Sequence, residues 1–340
     1  MRNSFNIAWY RWAIRPLLFR LPPEWAHRIT ELALSIKPVW RLNRTRFRIS
    51  NPNLSREVAG IHLSNPIGLA PGFDKQCKYL DSLSELGFGY LVGGTVTPDR
   101  RSGNQSPRML RRTQDKAIVN SLGFPSDGLS AVVRRLQKFR IHPVPIIVSI
   151  SALEVEGFLE CHRMLEPLVE AVELNISSPN TQGIKKFQNP SKLFELVERI
   201  NERREKPIFV KFPPFLNETE RDNVMEMLKQ CVAAGVDGLT AINSIPVIEP
   251  RLANGRGGLT GQPIFENMLS NIRELRRESG KALAINACGG ISSGRDVVKA
   301  LDAGADTVQL YTAMVYQGPG IVRNIAAELI AWLGRSEENR

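Results

Sequence analysis

Short apolar runs alternate with amphipathic stretches of helical periodicity from residue 60 onward. Eight apolar runs of five or six residues predict buried strands at 66–70, 90–95, 145–150, 172–176, 207–212, 238–242, 282–287 and 307–311. Helical stretches lie between several of them, at 127–139, 190–204, 218–234, 264–279 and 294–303. This alternation predicts an α/β fold, a (β/α)8 TIM barrel. The alternative is an open doubly wound sheet, but no GxGxxG follows the first strand.

The first 40 residues have a different pattern, in which aromatic and aliphatic residues interleave with arginines. Residues 7–19 and 24–34 predict two short amphipathic helices separated by Pro22 and Pro23. Neither contains the roughly 18 uninterrupted apolar residues of a membrane span. Arginines interrupt the apolar run and no small-residue cleavage site follows, so the segment does not resemble a cleaved signal peptide.

Charge strengthens the membrane interpretation of this segment. The net charge is +11, of which residues 1–50 carry +8. Basic and apolar residues together favour a helical pair lying in the lipid interface, while docking on the chain's own domain is the alternative. We therefore expect a two-helix membrane-associating extension at 1–40, an irregular bridge at 41–60 and the barrel at 61–335.

Composition narrows the chemistry. With 340 residues and 42% hydrophobic content, the chain can build a large core. The four cysteines are scattered without CxxC spacing and there are four histidines in all, which argues against a disulfide framework or a metal site. The expected compartment is reducing.

Polar residues collect just after the predicted strands, where a barrel carries its active site. The most informative loop is Asn-Ile-Ser-Ser-Pro-Asn-Thr at 175–181, whose asparagines offer donors and acceptors on short arms. A serine hydroxyl there can exchange a proton when a relay stands behind it. The Gly-Gly turn at 289–290, preceded by the glycine-rich stretch 257–261, indicates a phosphate site of a phosphorylated cofactor.

Together these motifs closely resemble those of the dihydroorotate dehydrogenases, flavin enzymes of pyrimidine synthesis. The segment 15–27 resembles the membrane-associated, quinone-using class 2 branch. Ser178 points the same way, because class 1 enzymes place a cysteine at the matching position. The resemblance implies FMN as cofactor, oxidation of (S)-dihydroorotate to orotate, and a quinone as electron acceptor.

The resemblance also implies roles for individual residues. Ser178 would be the catalytic base, with Thr181 and Phe124 at the water-relay positions. Substrate-binding residues would be Lys75, Asn120, Ser121, Leu122, Gly123, Asn175, Asn180, Asn243 and Ser244. Cofactor-binding residues would be Pro71, Gly72, Lys75, Thr95, Ser149, Asn175, Lys211, Ile242, Gly261, Gly290, Tyr311 and Thr312. The quinone would meet His27, Arg111 and Tyr311.

Some positions depart from the class 2 pattern: Ser121 and Pro125 in the loop after Asn120, Ser149 after the third strand, and Ile242 before Asn243. They leave open a paralogue acting on a related cyclic amide or imide. A non-catalytic FMN-binding membrane module is a second alternative. A flavin reductase acting on RNA is a third, although the charge is concentrated in the apolar N-terminal segment.

The predicted partners follow from the same reasoning. We expect dihydroorotate, a membrane quinone and peripheral membrane contact, with no nucleic acid and no metal. The chain is expected to be a monomer or weak oligomer on the cytoplasmic side of the cell inner membrane, since no targeting segment is evident.

Overall fold

The computed structural model describes residues 9–139 and 143–338, with side chains described as far as residue 335. Residues 7 and 8 of the first predicted helix lie outside that range. In the described part of the chain the strands are β1 (Arg56–Val58), β2 (Ile61–Leu63), β3 (Ile67–Leu69), β4 (Tyr90–Val96), β5 (Met109–Arg112), β6 (Ala117–Asn120), β7 (Ile146–Ile150), β8 (Ala171–Asn175), β9 (Ile208–Lys211), β10 (Gly238–Ala241), β11 (Ile245–Ile248), β12 (Arg256–Gly261), β13 (Ala284–Cys288) and β14 (Thr307–Leu310).

Eight of these strands close into a parallel barrel in the order β3-β4-β7-β8-β9-β10-β13-β14, and β14 pairs with β3 to complete the circle. They are the eight predicted strands, with ends that differ from the prediction by at most two residues. The predicted (β/α)8 fold is therefore confirmed. The carboxyl ends of all eight strands meet at one mouth, which places the loops that follow them side by side.

The barrel interior is filled in layers. The Tyr90 ring crosses the axis at the amino-terminal end, and a Cβ at residue 68 would lie 2.3 Å from that ring, which explains Gly68. The next layer is polar: the Tyr90 hydroxyl lies 2.8 Å from Thr307, which donates to Asn286 at 2.5 Å. The outward residues of the strands pack on the surrounding helices and form the main apolar core.

The helices are α1 (Arg15–Arg20), α2 (Pro23–Ser35), α3 (Lys37–Phe47), α4 (Leu80–Ser84), α5 (Leu129–Lys138), α6 (Val155–Leu165), α7 (Pro190–Asn201), α8 (Glu218–Ala233), α9 (Phe265–Ser279), α10 (Gly294–Asp302), α11 (Thr312–Gln317) and α12 (Ile321–Glu338). A single π-helical turn, Tyr10–Ile14, precedes α1. No helix in the described part of the chain is long and apolar enough to cross a membrane.

Helix α3 corrects one expectation, because the stretch from 41 to 47 is helical rather than irregular. Pro38 sits in the first turn of α3, where a missing N–H costs nothing. Trp40 and Phe47 turn towards each other, with ring centroids 5.9 Å apart, and both pack against the main core. These contacts stabilise a helix in a segment that was predicted to be an irregular bridge.

Two small antiparallel sheets were not expected. Strands β1 and β2 form a hairpin before the barrel. Strands β5, β6, β11 and β12 form a four-stranded sheet in the order β11-β12-β6-β5, built from the long loops after β4 and β10. This second sheet carries Asn120 and Gly261 to the barrel mouth, so it shapes the functional site directly.

Candidate active site

A cavity of about 1270 Å³, measured up to its open mouth, occupies the carboxyl end of the barrel. Nearly all the residues predicted to bind substrate or cofactor, or to act in catalysis, line this cavity. Three of them, Ser121, Ser149 and Thr181, lie behind its wall instead. The structure thus brings together side chains from seven loops that are up to 240 residues apart in the sequence.

Ser178 faces the cavity from the loop that follows β8. Its hydroxyl oxygen lies 3.3 Å from that of Thr181, and each residue is only 7% exposed. The backbone N–H of Asn180 points to Ser178 Oγ at 3.4 Å. A hydroxyl pair shielded from bulk water can pass a proton between its two oxygens, and either hydroxyl can be the donor.

The asparagines around Ser178 are held in place by other groups. Asn243 donates to Ser177 Oγ at 2.9 Å, and Asn180 donates to the carbonyl of Asn120 at 2.9 Å. Fixed amides of this kind suit a ring that carries alternating C=O and N–H groups. Their orientation is set before any ligand arrives, which reduces the entropy that binding must overcome.

The side chain of Asn175 is also held in place by a hydrogen bond. Its amide donates to Thr95 Oγ1 at 3.0 Å, and that hydroxyl lies 3.1 Å from Ser149 Oγ. Ser149 is fully buried. Thr95 lines the cavity and Ser149 does not, and the direct contact of Ser149 with the cofactor stays a prediction.

Ser121 also lies outside the cavity, although its neighbours Asn120 and Leu122 line it. Its backbone N–H donates to the carbonyl of Arg108 at 2.8 Å, and its side chain is buried. Ser121 directly follows the last residue of β6. Its contact with the substrate stays a prediction.

Two lysines give the cavity its positive charge. Burial lowers the pKa of Lys75, while the carboxylates of Glu31 and Asp74 oppose that shift. Lys211 ends β9 with only 5% of its surface exposed, and its Nζ lies 3.9 Å from Cys288 Sγ. Two lysines, with no Asp or Glu among the described residues that line the cavity, favour anionic ligands or developing negative charge.

The far end of the cavity has the features of a phosphate site. Gly261 and Gly290 both adopt positive φ angles, +97° and +75°. A Cβ on Gly261 would meet the Lys116 carbonyl at 2.5 Å, and one on Gly290 would meet Phe265 at 2.6 Å. Both turns therefore need glycine, and their bare backbones border the cavity.

Threonine hydroxyls and a helix start complete this end. Thr260 and Thr312 approach within 3.0 Å of each other, and Thr312 begins α11, whose first N–H groups have no partner within the helix. Hydroxyls, free N–H groups and bare glycine backbone are donors that suit a phosphate. The residues present fit the phosphate and ring of FMN.

A second cavity, about 1880 Å³ up to its opening, lies between the N-terminal helices and the barrel. Its lining is mostly aliphatic and aromatic, and it includes the three residues predicted to meet the quinone, His27, Arg111 and Tyr311. Phe73 stacks edge-on between two of them, 5.5 Å from His27 and 5.3 Å from Tyr311. Tyr311 lines both cavities, so they adjoin at this residue.

The polar groups of the second cavity have distinct environments. Burial lowers the pKa of His27 to about 3, with Lys75 adding to the shift, so the ring is neutral near pH 7. His27 Nε2 lies 3.5 Å from the Glu31 carboxylate. The Arg111 guanidinium donates to the carbonyls of Leu18 and Leu21 and lies over the Phe19 ring. Arg111 therefore fixes the N-terminal helices against the barrel.

Several cavity residues had no assigned role in the sequence. Cys288 and Gln309 line the floor of the mouth and Thr260 lines its far end. Ser177 accepts the hydrogen bond from Asn243. The available signal was position alone, because Cys288 directly follows the predicted strand 282–287 and Gln309 lies within the predicted strand 307–311.

The chain is similar to known proteins over most of its length. Residues 53–333 match the family model described as dihydroorotate dehydrogenase. A "Dihydroorotate dehydrogenase (quinone)" of Novosphingobium aromaticivorans is 36% identical over 330 residues, covering 93% of each chain. One of the same name from Halorhodospira halophila is 36% identical, covering 91% of this chain and 95% of that one.

Solved structures agree with these relatives. The crystal structure of DHODH from Eimeria tenella in complex with ferulenol has a TM-score of 0.82 and 26% identity, covering 94% of this chain and 95% of that one. The curated relatives and the structure each cover more than nine tenths of the chain. The chain therefore belongs to the dihydroorotate dehydrogenase family, in its quinone-dependent class 2 branch.

Proposed function

We propose that this protein oxidises (S)-dihydroorotate to orotate and passes the electrons to a quinone, a step of de novo pyrimidine synthesis. The observation that carries the proposal is the buried Ser178–Thr181 pair, 3.3 Å apart, facing a cavity that amides and two lysines also line. The names of the curated relatives supply the substrate and the acceptor.

Each group has a role that follows from its chemistry. Lys75 pairs with the substrate carboxylate, and the four asparagines read the ring carbonyls and N–H groups. Ser178 removes the proton from C5 and hands it towards Thr181. Phe124 and Leu122 line the same cavity and keep bulk water away from that transfer.

FMN, held by the glycine turns and Thr312, supplies an acceptor for the hydride that leaves C6. Lys211 stands under the barrel mouth as a fixed cation, so it favours negative charge that develops on the cofactor. Thr95 and Asn175 hold the wall beside it. These residues bind and orient the cofactor, and the redox chemistry belongs to the cofactor itself.

The second cavity has a mostly apolar lining, which suits a quinone. A neutral His27, the Arg111 guanidinium and the Tyr311 hydroxyl are the polar groups that we expect a quinone carbonyl to meet there. The cavity borders the N-terminal helices, which gives a lipid-soluble molecule a direct route in.

The test uses the purified protein and the yellow absorption of oxidised flavin. Under anaerobic conditions dihydroorotate should bleach the flavin, and a soluble quinone analogue should restore it. Ser178→Ala should keep the flavin bound and abolish bleaching near pH 7. A yellow protein that dihydroorotate cannot bleach would refute the substrate and favour a related cyclic amide or imide, and turnover that survives Ser178→Ala would refute the assigned base.

We also propose peripheral contact with a membrane, on the cytoplasmic side of the cell inner membrane, by a monomer or weak oligomer. Large apolar side chains stand exposed on the N-terminal helices, and Trp12 and Leu42 are each 83% exposed. Arginines flank them on α1, α2 and α3. Such a face matches an interfacial surface on an anionic bilayer.

Vesicle flotation tests this contact. The double variant Trp12→Ser/Leu42→Ser should bind phosphatidylglycerol vesicles at least tenfold more weakly than the unmodified protein, while its flavin absorption is unchanged. The matched control is Ile248→Ser, since Ile248 is equally exposed on β11 at the opposite side of the site. Equal loss of binding in both variants would contradict the proposal.

A further inference from the structure

Asn104 joins two loops of the active site although it does not itself line the cavity. It lies in the long connection between β4 and β5. Its side-chain amide donates two hydrogen bonds, to the carbonyl of Ser121 at 2.8 Å and to the carbonyl of Asn180 at 3.2 Å. Ser121 begins the loop at 121–126, called here the Ser121 loop, and Asn180 belongs to the loop at 176–181 that carries Ser178, called here the Ser178 loop.

The Ser121 loop fits closely around Asn104. The backbone N–H of Asn104 donates to the Leu122 carbonyl at 2.9 Å. Gly123 has a φ of +70°, and a Cβ there would lie 2.5 Å from Asn104 Oδ1. A Cβ on Gly103 would lie 2.4 Å from the Leu122 carbonyl oxygen. Leu122 and Gly123 line the cavity, so Asn104 packs behind a part of the wall that faces the ligand.

In the Ser178 loop, Asn104 holds the residue that contacts the proposed base. The backbone N–H of Asn180 points to Ser178 Oγ at 3.4 Å. The Asn180 side chain donates to the carbonyl of Asn120 at 2.9 Å. The bond from Asn104 fixes the Asn180 carbonyl as well, so the backbone and the side chain of Asn180 are both tied to the neighbouring loop.

Asn104 is itself anchored on the side away from these loops. The guanidinium of Arg108 donates to the carbonyl of Asn104 at 3.0 Å and to that of Ser102 at 2.7 Å. The same guanidinium pairs with Glu24 on α2 at 2.9 Å, and Ser106 donates to Glu24 at 3.1 Å. An amide whose own backbone is fixed loses less freedom when it holds other groups in place.

We propose that Asn104 is a positioning residue for the proton transfer: its amide fixes the Ser178 loop against the Ser121 loop, so that the Ser178 hydroxyl keeps one position relative to the groups that bind the substrate ring. The inference rests on the proposed function, because it concerns the same proton transfer. An asparagine suits this task because its two N–H donors reach two carbonyls at once, whereas a hydroxyl has a single donor.

The first experiment measures backbone hydrogen exchange in the holoenzyme, without any substrate. Asn104→Ala should make the amides of residues 178–183 exchange about tenfold faster, because two hydrogen bonds that oppose opening of the loop are lost. A peptide that covers β9 should exchange as in the unmodified protein, since the barrel stays folded. Unchanged exchange at 178–183 in Asn104→Ala would overturn the inference.

The matched control is Asn201→Ala. Asn201 is half-buried like Asn104, and its side chain donates to the carbonyl of Ala234 at 2.7 Å, which joins α7 to the end of α8 away from the cavity. This variant should leave exchange at 178–183 unchanged. Faster exchange there in both variants would show a general loosening of the fold and would also overturn the inference.

The second experiment separates the two half-reactions by stopped-flow absorption of the flavin. Asn104→Ala should slow reduction by dihydroorotate at least about tenfold, since displacement of a reacting group by about 1 Å can cost about 10²-fold in rate. Reoxidation of photoreduced flavin by a soluble quinone should keep its rate, because neither loop lines the second cavity. Equal slowing of both half-reactions would overturn the positioning role.

Asn104→Asp distinguishes the two hydrogen bonds from packing. It keeps the shape of the side chain and replaces both N–H donors by an oxygen that repels the two carbonyls. It should slow reduction at least as much as Asn104→Ala, and a normal rate would overturn the proposal. The exchange experiment needs no dihydroorotate: faster exchange in Asn104→Ala, with a flavin that dihydroorotate cannot reduce even in the unmodified protein, would refute the substrate and support the role of Asn104 in holding the loop.

Discussion

Thr181 offers a sharp test of how the proposed base works. Thr181→Val removes one buried hydroxyl and keeps the shape of the side chain. The hydroxyl pair is 3.3 Å apart, longer than the usual 2.7–2.8 Å of an O–H···O bond, so its loss should cost no more than about 1 kcal/mol of stability. A positioned proton acceptor contributes about 10²–10⁴-fold to a rate, and losing its relay should slow the proton transfer about 10²-fold. That slowing is about 2.7 kcal/mol of barrier.

The assay is stopped-flow reduction of the flavin by dihydroorotate without oxygen, recorded from pH 6 to 10. In the variant the proton must leave Ser178 for hydroxide, so the rate should rise more steeply with pH than in the unmodified protein. Thr97→Val is the control: Thr97 is 3% exposed and donates to the Asp99 carbonyl at 2.7 Å, away from the cavity. If Thr181→Val slowed reduction less than threefold, or no more than the control, the relay would be refuted.

Two further predictions concern stability and the substrate pocket. The pKa of His27 is lowered from about 6.5 in the unfolded chain to about 3 in the folded protein. As the pH falls between these values, the unfolded chain binds a proton that the folded protein does not bind. The free energy of unfolding therefore decreases. Between pH 7.5 and 5.5 the free energy of unfolding should decrease by about 1.4 kcal/mol, measured by urea unfolding. His27→Leu should remove this decrease. An equal decrease in both proteins would contradict the lowered pKa of His27. Gly258→Ala would place a Cβ 2.1 Å from Ser244 Oγ, so KM for dihydroorotate should rise at least tenfold with flavin retained. Gly334→Ala, which meets nothing within 4 Å, should leave KM unchanged, and a KM that also stays constant in Gly258→Ala would contradict substrate contact by Ser244.

The barrel could be predicted because parallel strands are buried on both faces and appear as continuous apolar runs. Ile146–Ile150 shows this directly, since all five of its residues are buried. Strand β12 was missed for the opposite reason: three of its six residues are glycine, which has low strand propensity, and one face borders the cavity. Its pairing with β6 comes from the tertiary structure and has no local signal.

The site could be predicted in outline because a barrel gathers the ends of its strands at one mouth. Asn175 and Lys211 end neighbouring strands and stand in register. The roles of buried residues that do not line the cavity were harder to predict from the sequence. Ser149 lies 3.1 Å from the Thr95 hydroxyl and does not line the cavity, and Glu173 sits inside a run that otherwise looks like an apolar strand.

Tyr311 lines both cavities, so the molecule has two adjoining cavities that share one aromatic residue. A water-soluble acid and a lipid-soluble quinone differ so much in polarity that one entrance could not select for both. With separate entrances neither reactant has to leave before the other arrives, and neither occupies the other's space. A compound that fills the apolar cavity should therefore stop turnover while dihydroorotate still bleaches the flavin. The flavin would then stay reduced, because the quinone could not reach it.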